Sequence, residues 1–204
     1  VGSKLFKINT VSGKPDKEFG NNGFIDLHTG LGENSSSLYV SMTSPGVIYN
    51  NLIIVGSRVS EGNPAAKGNI RAFNANTGDL VWVFKTIPEP DEEGYDSYED
   101  PDAYLRLGGA NAWSGLTIDS KNGILFAPTG SVSYDFYGGD RKGDNLFANS
   151  ILAINAESGE RLWHYQTVHH DVWDRDLPAP PVIFNYKLND SIIPALAQVT
   201  KSGY

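Results

Sequence analysis

The sequence predicts an all-β fold built from repeated four-stranded antiparallel sheets, and three observations support this prediction. The 22 glycines and 11 prolines among 204 residues favour short strands and many turns over long helices. A hairpin pattern occurs twice without a gap, over residues 70–86 and 151–167, and two shorter strand patterns precede each copy. A four-stranded unit that recurs in this way is typical of a propeller blade. A sandwich of unrelated hairpins would explain the strands but not the repeated register.

Each hairpin pattern consists of a strand, a turn of the form Asn-x-x-Thr/Ser-Gly, and a second strand with a tryptophan four residues after the glycine. The glycine suits a turn position with positive φ, and the Asn and Thr or Ser side chains can bond the turn backbone. The glycines and tryptophans are Gly78 with Trp82 and Gly159 with Trp163. Residues 5–15 form a weaker copy, in which Gly13 matches the glycine but Lys17 replaces the tryptophan.

Complete blades are predicted at residues 43–86 and 113–167. Residues 1–27 resemble the end of an earlier blade and residues 181–204 the start of a later one, so residues 1–204 are predicted to hold about three blades. Because propellers close with roughly 4–8 blades, we expect an open arc that belongs to a longer protein. Uncovered faces and edges favour association, and we expect such an arc to self-associate or to need the remaining blades.

The net charge of −8 originates in one acidic segment, residues 89–102, which holds eight acids and no base. Its spacing does not match a calcium-binding loop, so we interpret it as a solvated excursion. No basic patch is visible in the sequence, and nucleic acid is not a predicted partner. The absence of cysteine excludes disulfides, thiol nucleophiles and zinc–thiolate sites. The sequence shows neither a membrane-spanning apolar run nor a signal-peptide pattern, so an export signal or anchor is expected outside these residues.

A polar cluster stands out at residues 169–181, where three carboxylates and two imidazoles precede a proline-rich segment. Such groups on rigid, extended backbone suit proton transfer or metal binding. The alternative is a polar loop with Trp173 as its buried anchor. A hydrolase that uses Asp171 and Asp174 as a carboxylate pair is a weaker interpretation, because residues i and i+3 of an extended loop need not face each other.

Four segments carry a resemblance to a known family. They read GGANAWSG (108–115), PTGSVSYDFYGGDR (128–141), DNLFANSILAIN (144–155) and HHDVWDRDLPAPP (169–181). Together they resemble the pyrroloquinoline quinone (PQQ)-dependent dehydrogenases, and within that family the membrane-bound quinoprotein glucose dehydrogenase branch. The resemblance runs from about residue 5 to residue 204. It implies an eight-bladed β-propeller with tryptophan-docking motifs, of which this chain is a part.

The same resemblance implies oxidation of a sugar or polyol hydroxyl, with PQQ and calcium as cofactors. A quinone or another compound is the implied electron acceptor. The implied location is the periplasm, or a membrane surface that faces it. A non-catalytic propeller that serves as a scaffold or binding module is the alternative.

The resemblance also implies roles for individual residues. Asp174 occupies the position of the family's catalytic base. Lys201 follows 27 residues later, where the family has a basic residue that bonds the quinone oxygens and stabilises their negative charge. Trp113 occupies the position of an indole that stacks on the cofactor ring. Thr43 and Arg58 lie where relatives contact the cofactor carboxylates.

Calcium is implied to bind Glu61, Ser131 and Asp174, whose oxygen atoms suit a hard cation. Ser131 departs from the family pattern, because many relatives have Asn after Thr-Gly and a serine offers only a hydroxyl. This departure favours the non-catalytic alternative. The remaining polar residues are interpreted as supports: Asp171 and Asp176 beside the site, at least one of His169 and His170 in the loop, and Asn145 and Asn149 in turns and strands.

Overall fold

The computed structural model of the chain describes residues 2–203. Within that range the strands are β1 (Lys4–Phe6), β2 (Phe24–Asp26), β3 (Val40–Ser41), β4 (Val47–Tyr49), β5 (Leu52–Val55), β6 (Arg58–Val59), β7 (Ile70–Asn74), β8 (Leu80–Phe84), β9 (Thr117–Asp119), β10 (Ile124–Pro128), β11 (Ser150–Asn155), β12 (Arg161–Gln166), β13 (Val182–Leu188) and β14 (Ser191–Ala197). The helices in the same range are short: α1 (Ala103–Arg106) and two 3-10 turns, Glu33–Ser37 and Tyr95–Ser97. None of these helices has the length and apolar character needed to cross a membrane.

Two four-stranded antiparallel sheets form the main body of the structure. One has the strand order β4-β5-β7-β8 and the other β9-β10-β11-β12, so each sheet follows the chain order, with β6 left out of the first sheet. Two-stranded pairs are formed by β1 with β2, β3 with β6, and β13 with β14. The predicted all-β class with repeated antiparallel sheets of four strands is confirmed. The strands of the two large sheets span residues 47–84 and 117–166.

Three turns share the same local chemistry. In each, the side-chain oxygen of an asparagine accepts hydrogen bonds of 2.9–3.2 Å from two backbone N–H groups of the turn. A glycine with φ between 67° and 83° follows four residues later. The asparagines are Asn9, Asn74 and Asn155, and the glycines are Gly13, Gly78 and Gly159. Because these contacts are local, the turn sequence alone determines where each hairpin reverses.

Trp82 joins the two large sheets. The side chain is only 8% exposed, and its Nε1 donates a hydrogen bond of 3.2 Å to the carbonyl of Ala156 in the next sheet. Its indole lies against Gly159, where an added Cβ would be 2.7 Å from ring atom Cδ2. Trp163 holds the repeat-equivalent position in the second sheet but is 42% exposed, and its ring packs 5.8 Å from that of Phe126. Equivalent sequence positions therefore have different environments.

The loops that form the candidate site are tied to one another by backbone hydrogen bonds. The segment 107–116 follows α1, and the loop 129–149 joins β10 to β11. Ala110 N–H donates to the Ser131 carbonyl at 2.6 Å, and Gly130 N–H donates to the Asn111 carbonyl at 3.1 Å. These two bonds fix the two loops against each other and give their side chains defined positions.

Candidate functional site

A cavity of about 230 Å³ lies between β6 and the loops around residues 111, 131, 174 and 201. All seven residues singled out from the resemblance line it: Thr43, Arg58, Glu61, Trp113, Ser131, Asp174 and Lys201. Six further residues complete the wall: Val59, Ser60, Asn111, Ser133, Asp135 and Asp176. Complete ligand pockets usually measure roughly 300–1,000 Å³. The cavity therefore has the size of part of a ligand pocket.

Asp174 and Lys201 form an ion pair at the cavity. The Nζ of Lys201 lies 2.8 Å from Oδ1 of Asp174 and 3.6 Å from Oδ2 of Asp176. Burial alone would lower the pKa of Lys201, but the hydrogen bond to Asp174 and the charge of Asp176 outweigh it, and the pKa is raised. The φ of Asp174 is +53°, in the left-handed region that Asp and Asn tolerate better than most residues. The backbone thus adopts an uncommon conformation at this residue.

Asp171 anchors the loop that carries Asp174. Its buried carboxylate accepts hydrogen bonds from the Ser131 hydroxyl at 2.5 Å and from the Asn149 amide at 3.1 Å. It also accepts bonds from the backbone N–H groups of residues 173 and 175, at 3.0 and 2.6 Å. The prediction that Trp173 is the buried anchor was wrong, because its side chain is 72% exposed. The four hydrogen bonds to the Asp171 carboxylate hold this loop in place, without a buried contact from the Trp173 indole.

The Asp171–Asp174 hydrolase interpretation loses support for the same reason. The Asp171 carboxylate is committed to four donors and does not line the cavity, whereas that of Asp174 does. His170 has the scaffolding contact expected of it, since its Nδ1 lies 3.0 Å from the Gly143 carbonyl. Neither His169 nor His170 is part of the cavity wall.

Asp176 fixes the indole of Trp113. Its Oδ2 accepts a hydrogen bond of 2.9 Å from Nε1 of Trp113, and its Oδ1 accepts one of 2.7 Å from the backbone N–H of Ser131. A Cβ at Gly130 would lie 2.6 Å from Oδ1, so only glycine leaves room for the carboxylate. Burial raises the pKa of Asp176, and the charge of Lys201 opposes this effect. The carboxylate therefore holds the half-buried Trp113 ring at the cavity wall.

Thr43 and Arg58 meet the cavity in different ways. The Thr43 hydroxyl donates a hydrogen bond of 2.9 Å to the carbonyl of Trp113, so it also positions this residue. Arg58 Nη2 lies 3.5 Å from Oε1 of Glu61, and both side chains are largely exposed. Such an exposed ion pair contributes about 0–1 kcal/mol. An indole face beside Arg58 and Lys201 suits a planar aromatic cofactor with carboxylate groups.

The three residues implied to bind calcium offer oxygen atoms to the same cavity. Glu61 and Asp174 each pair with a cation, and the Ser131 hydroxyl donates to Asp171. Within residues 2–203, no group of three or more His, Asp or Glu side chains is arranged to hold a metal ion. The donors thus fit a hard cation in chemical type but do not form a ready-made cage. Calcium at this position stays a prediction.

Asp135 is a cavity residue that the sequence did not single out. Only 6% exposed, it lies in the loop 129–149, and its backbone N–H donates to the Glu61 carbonyl at 3.4 Å. Burial, followed by the charges of Asp176 and Asp174, raises the pKa of Asp135 to about 7. The one sequence signal was an acid between two aromatic residues, Tyr134 and Phe136, in the segment 128–141.

Comparison with known proteins identifies the family. The family model described as "PQQ: Glucose/ethanol/alcohol dehydrogenase, beta-propeller domain" matches residues 1–204. The quinate/shikimate dehydrogenase (quinone) of Acinetobacter baylyi is 36% identical over 100% of this chain and 25% of its own length. The quinoprotein glucose dehydrogenase of Escherichia coli is 32% identical over 98% of this chain and 25% of its own length. The chain thus spans about a quarter of the length of these relatives.

The fold comparison agrees. The structure of a quinohemoprotein alcohol dehydrogenase from Pseudomonas putida HK5 aligns with a TM-score of 0.82 and 26% identity, covering 98% of this chain and 30% of the other. The quinohemoprotein alcohol dehydrogenase of Comamonas testosteroni shares the fold at a TM-score of 0.80 and 21% identity, covering 98% of this chain and 30% of the other. This chain belongs to the family of PQQ-dependent glucose, ethanol and alcohol dehydrogenases and corresponds to part of its β-propeller domain.

Proposed function

We propose that the protein oxidises a hydroxyl group of a sugar or polyol, with Asp174 as the base and PQQ as the cofactor. The observation that supports this most is the convergence of Asp174, Lys201 and Trp113 on one cavity. The relatives' names point to the same substrate class. They include quinate/shikimate, glucose and glycerol dehydrogenases, which act on compounds with several hydroxyl groups.

Asp174 would accept the proton of the hydroxyl that is oxidised. A carboxylate suits this role because it is short, anionic and held by a cation, here Lys201 at 2.8 Å. PQQ, when bound, would supply the two-electron acceptor for the hydride that leaves the carbon bearing this hydroxyl, so that proton and hydride together account for the oxidation. Lys201 carries a raised pKa and stays protonated near neutral pH, so it can stabilise negative charge on an oxygen of the ring. Protonation of Asp174 would free the ammonium of Lys201 for that contact.

Trp113 would provide the stacking face for the cofactor ring, and its orientation is set by Asp176 and Thr43. Arg58 would bind a cofactor carboxylate, together with the Thr43 hydroxyl. Glu61, Ser131 and Asp174 would supply oxygen ligands to calcium. We further propose that the electron acceptor is a quinone and that the protein works in the periplasm or at a membrane facing it.

We also propose that this chain is one arc of an eight-bladed propeller in which tryptophans dock one blade on the next. The contact between Trp82 and the turn at Gly159 supports this arrangement. The exposed ring of Trp163 would dock in the same way on a further blade.

The test uses the protein at its full natural length, loaded with PQQ and calcium. Reduction of an artificial electron acceptor is measured with glucose, quinate and glycerol as substrates. We expect turnover that Asp174→Asn lowers by about 10²–10⁴-fold and that Asp140→Asn, at an exposed acid outside the cavity, leaves unchanged. A folded, loaded protein that oxidises none of the three compounds would contradict the proposal.

A non-catalytic binding module is the second candidate, and Ser131 is the observation that favours it. Its hydroxyl already donates to Asp171, so it is a weaker metal ligand than the asparagine of many relatives. Calorimetric titration with PQQ separates the two candidates, since a scaffold without the cofactor site would give no binding heat.

A further inference from the structure

The carboxyl group of Asp135 lacks a partner in the structure. Asp135 is only 6% exposed, and it lines the cavity. Among residues 2–203, its carboxyl oxygens take part in none of the side-chain hydrogen bonds or ion pairs, and they are not among the fully enclosed polar atoms without a partner. Its backbone, in contrast, is well held. The N–H bonds the Glu61 carbonyl, and the preceding carbonyl of Tyr134 accepts a bond of 3.2 Å from the buried Arg141.

A buried carboxyl group without a partner is costly, and most buried polar groups in proteins have one. The other three acids of the cavity wall each have a cation nearby: Asp174 and Asp176 have Lys201, and Glu61 has Arg58. Within the described part of the chain, Asp135 forms no such ion pair, although Arg141 is close enough for its charge to act on the carboxyl group. Asp135 lines the cavity, so its missing partner is expected to be a ligand that occupies this space.

The charges around the cavity indicate what kind of ligand this is. The carboxylate of a cofactor would be repelled by Asp135, Asp174 and Asp176, and it fits better beside Arg58. A neutral hydroxyl group can donate a hydrogen bond to Asp135 without adding charge. Asp135 is also a poorer candidate for the base than Asp174, because no cation within 4 Å balances its charge.

We infer that Asp135 binds a second hydroxyl group of the substrate, one that is not oxidised, and so selects polyols over simple alcohols. The inference rests on the proposed function, in which Asp174 takes the proton of the reacting hydroxyl. Two acceptors on one cavity then hold two hydroxyl groups of the same molecule. A site built to bond a hydroxyl strongly disfavours an analogue that lacks it, because the buried acceptor is then left unpaired.

The test compares Asp135→Leu and Asp135→Asn with the wild type and with Asp140→Asn, an exposed acid of the same loop. The full-length protein is loaded with PQQ and calcium. Its substrates are 1-propanol and whichever of glucose, quinate and glycerol is oxidised fastest. We expect Asp135→Leu to lower kcat/KM for the polyol about 10- to 100-fold, with a smaller change for 1-propanol. Asp135→Asn keeps an acceptor oxygen, so its kcat/KM for the polyol should lie between that of Asp135→Leu and that of the wild type.

Two further measurements separate this role from others. Calorimetric titrations of PQQ and of calcium should give the wild-type affinity in both variants; a weakened affinity would overturn the inference and make Asp135 a cofactor or metal residue. The Tm of the unloaded protein should not fall in either variant, because an unpartnered buried acid is removed. A lower Tm in both variants would also overturn the inference, and it would indicate that Asp135 stabilises the fold by balancing the charge of Arg141.

Failure of the proposed function and failure of the inference about Asp135 give different results. A wild type that oxidises nothing contradicts the proposed function, and polyol binding to the wild type and to Asp135→Leu, measured by calorimetry, then decides the inference alone. A wild type that oxidises polyols, with equal kcat/KM in Asp135→Leu, would overturn the inference and leave the proposed function intact.

Discussion

Substitution of Gly159 by alanine should destabilise the protein more than the same substitution at Gly13. Both glycines end an Asn-x-x-Ser-Gly turn with positive φ, 80° at Gly159 and 67° at Gly13. Alanine in this conformation costs about 1–2 kcal/mol at either position. The surroundings differ, because a Cβ at Gly159 would lie 2.7 and 2.8 Å from two ring atoms of Trp82, whereas nothing lies within 4 Å at Gly13.

The magnitude follows from this difference. Overpacking of a well-packed contact costs about 1–3 kcal/mol, so Gly159→Ala should lose about that much more free energy of unfolding than Gly13→Ala. Urea unfolding followed by tryptophan fluorescence measures both. In a double-mutant cycle, Trp82→Leu should reduce the cost of Gly159→Ala, since the clashing ring is gone. Equal losses in the two glycine variants, or an unchanged cost in the cycle, would refute the proposed contact between the sheets.

Four predictions concern the cavity. Asp174→Asn should lower kcat by about 10²–10⁴-fold without unfolding the protein, since asparagine tolerates the φ of +53°; a kcat within tenfold of the wild type would exclude Asp174 as the base. Lys201→Met should lower kcat by about 10²–10³-fold, and a change confined to KM would contradict a role in charge stabilisation. Trp113→Leu should weaken PQQ binding in a fluorescence titration, whereas Trp173→Leu, at an exposed indole, should leave it unchanged; similar losses in both would argue against stacking on Trp113. The unloaded protein should lose stability as the pH rises from about 4 to about 7. The pKa of Asp135 is about 7 in the folded state and ordinarily 3.8, so the folded state binds this proton more tightly than the unfolded state. This stabilisation is complete below pH 4, and the free energy of unfolding should fall by up to about 1.4 kcal/mol per pH unit above it. The pH dependence should vanish in Asp135→Asn, and an unchanged profile of stability against pH in that variant would contradict the prediction.

The parts of the fold that could be predicted are those fixed by local sequence. The turns at Gly78 and Gly159 require only an asparagine oxygen, two neighbouring N–H groups and a residue that accepts positive φ. Strands on either side of such turns follow from short apolar runs. The repeated sheets could therefore be predicted from the sequence repeat. The seven site residues were taken from the resemblance, and all of them line one cavity.

The parts that could not be predicted depend on contacts between distant segments. Asp171 and Trp173 are both plausible anchors in the sequence, and the choice between them is made by Ser131 and Asn149, which lie 40 and 22 residues before Asp171. The burial of Asp135 has a similar origin, since its loop is held by Arg141 and by Glu61 of another loop. Loop burial has no periodicity that a sequence pattern could reveal.

Asp176 connects two residues to which the proposed function gives different roles, Trp113 and Lys201. One oxygen of this carboxylate holds the indole of Trp113, and the same oxygen lies 3.6 Å from the ammonium of Lys201. A substitution at residue 176 would therefore tilt the stacking surface and shift the cation together. Under the proposed function, a single substitution at this position would change cofactor orientation and proton chemistry together. Asp135, whose carboxyl group is affected by the charge of Asp176, lies in the same cavity.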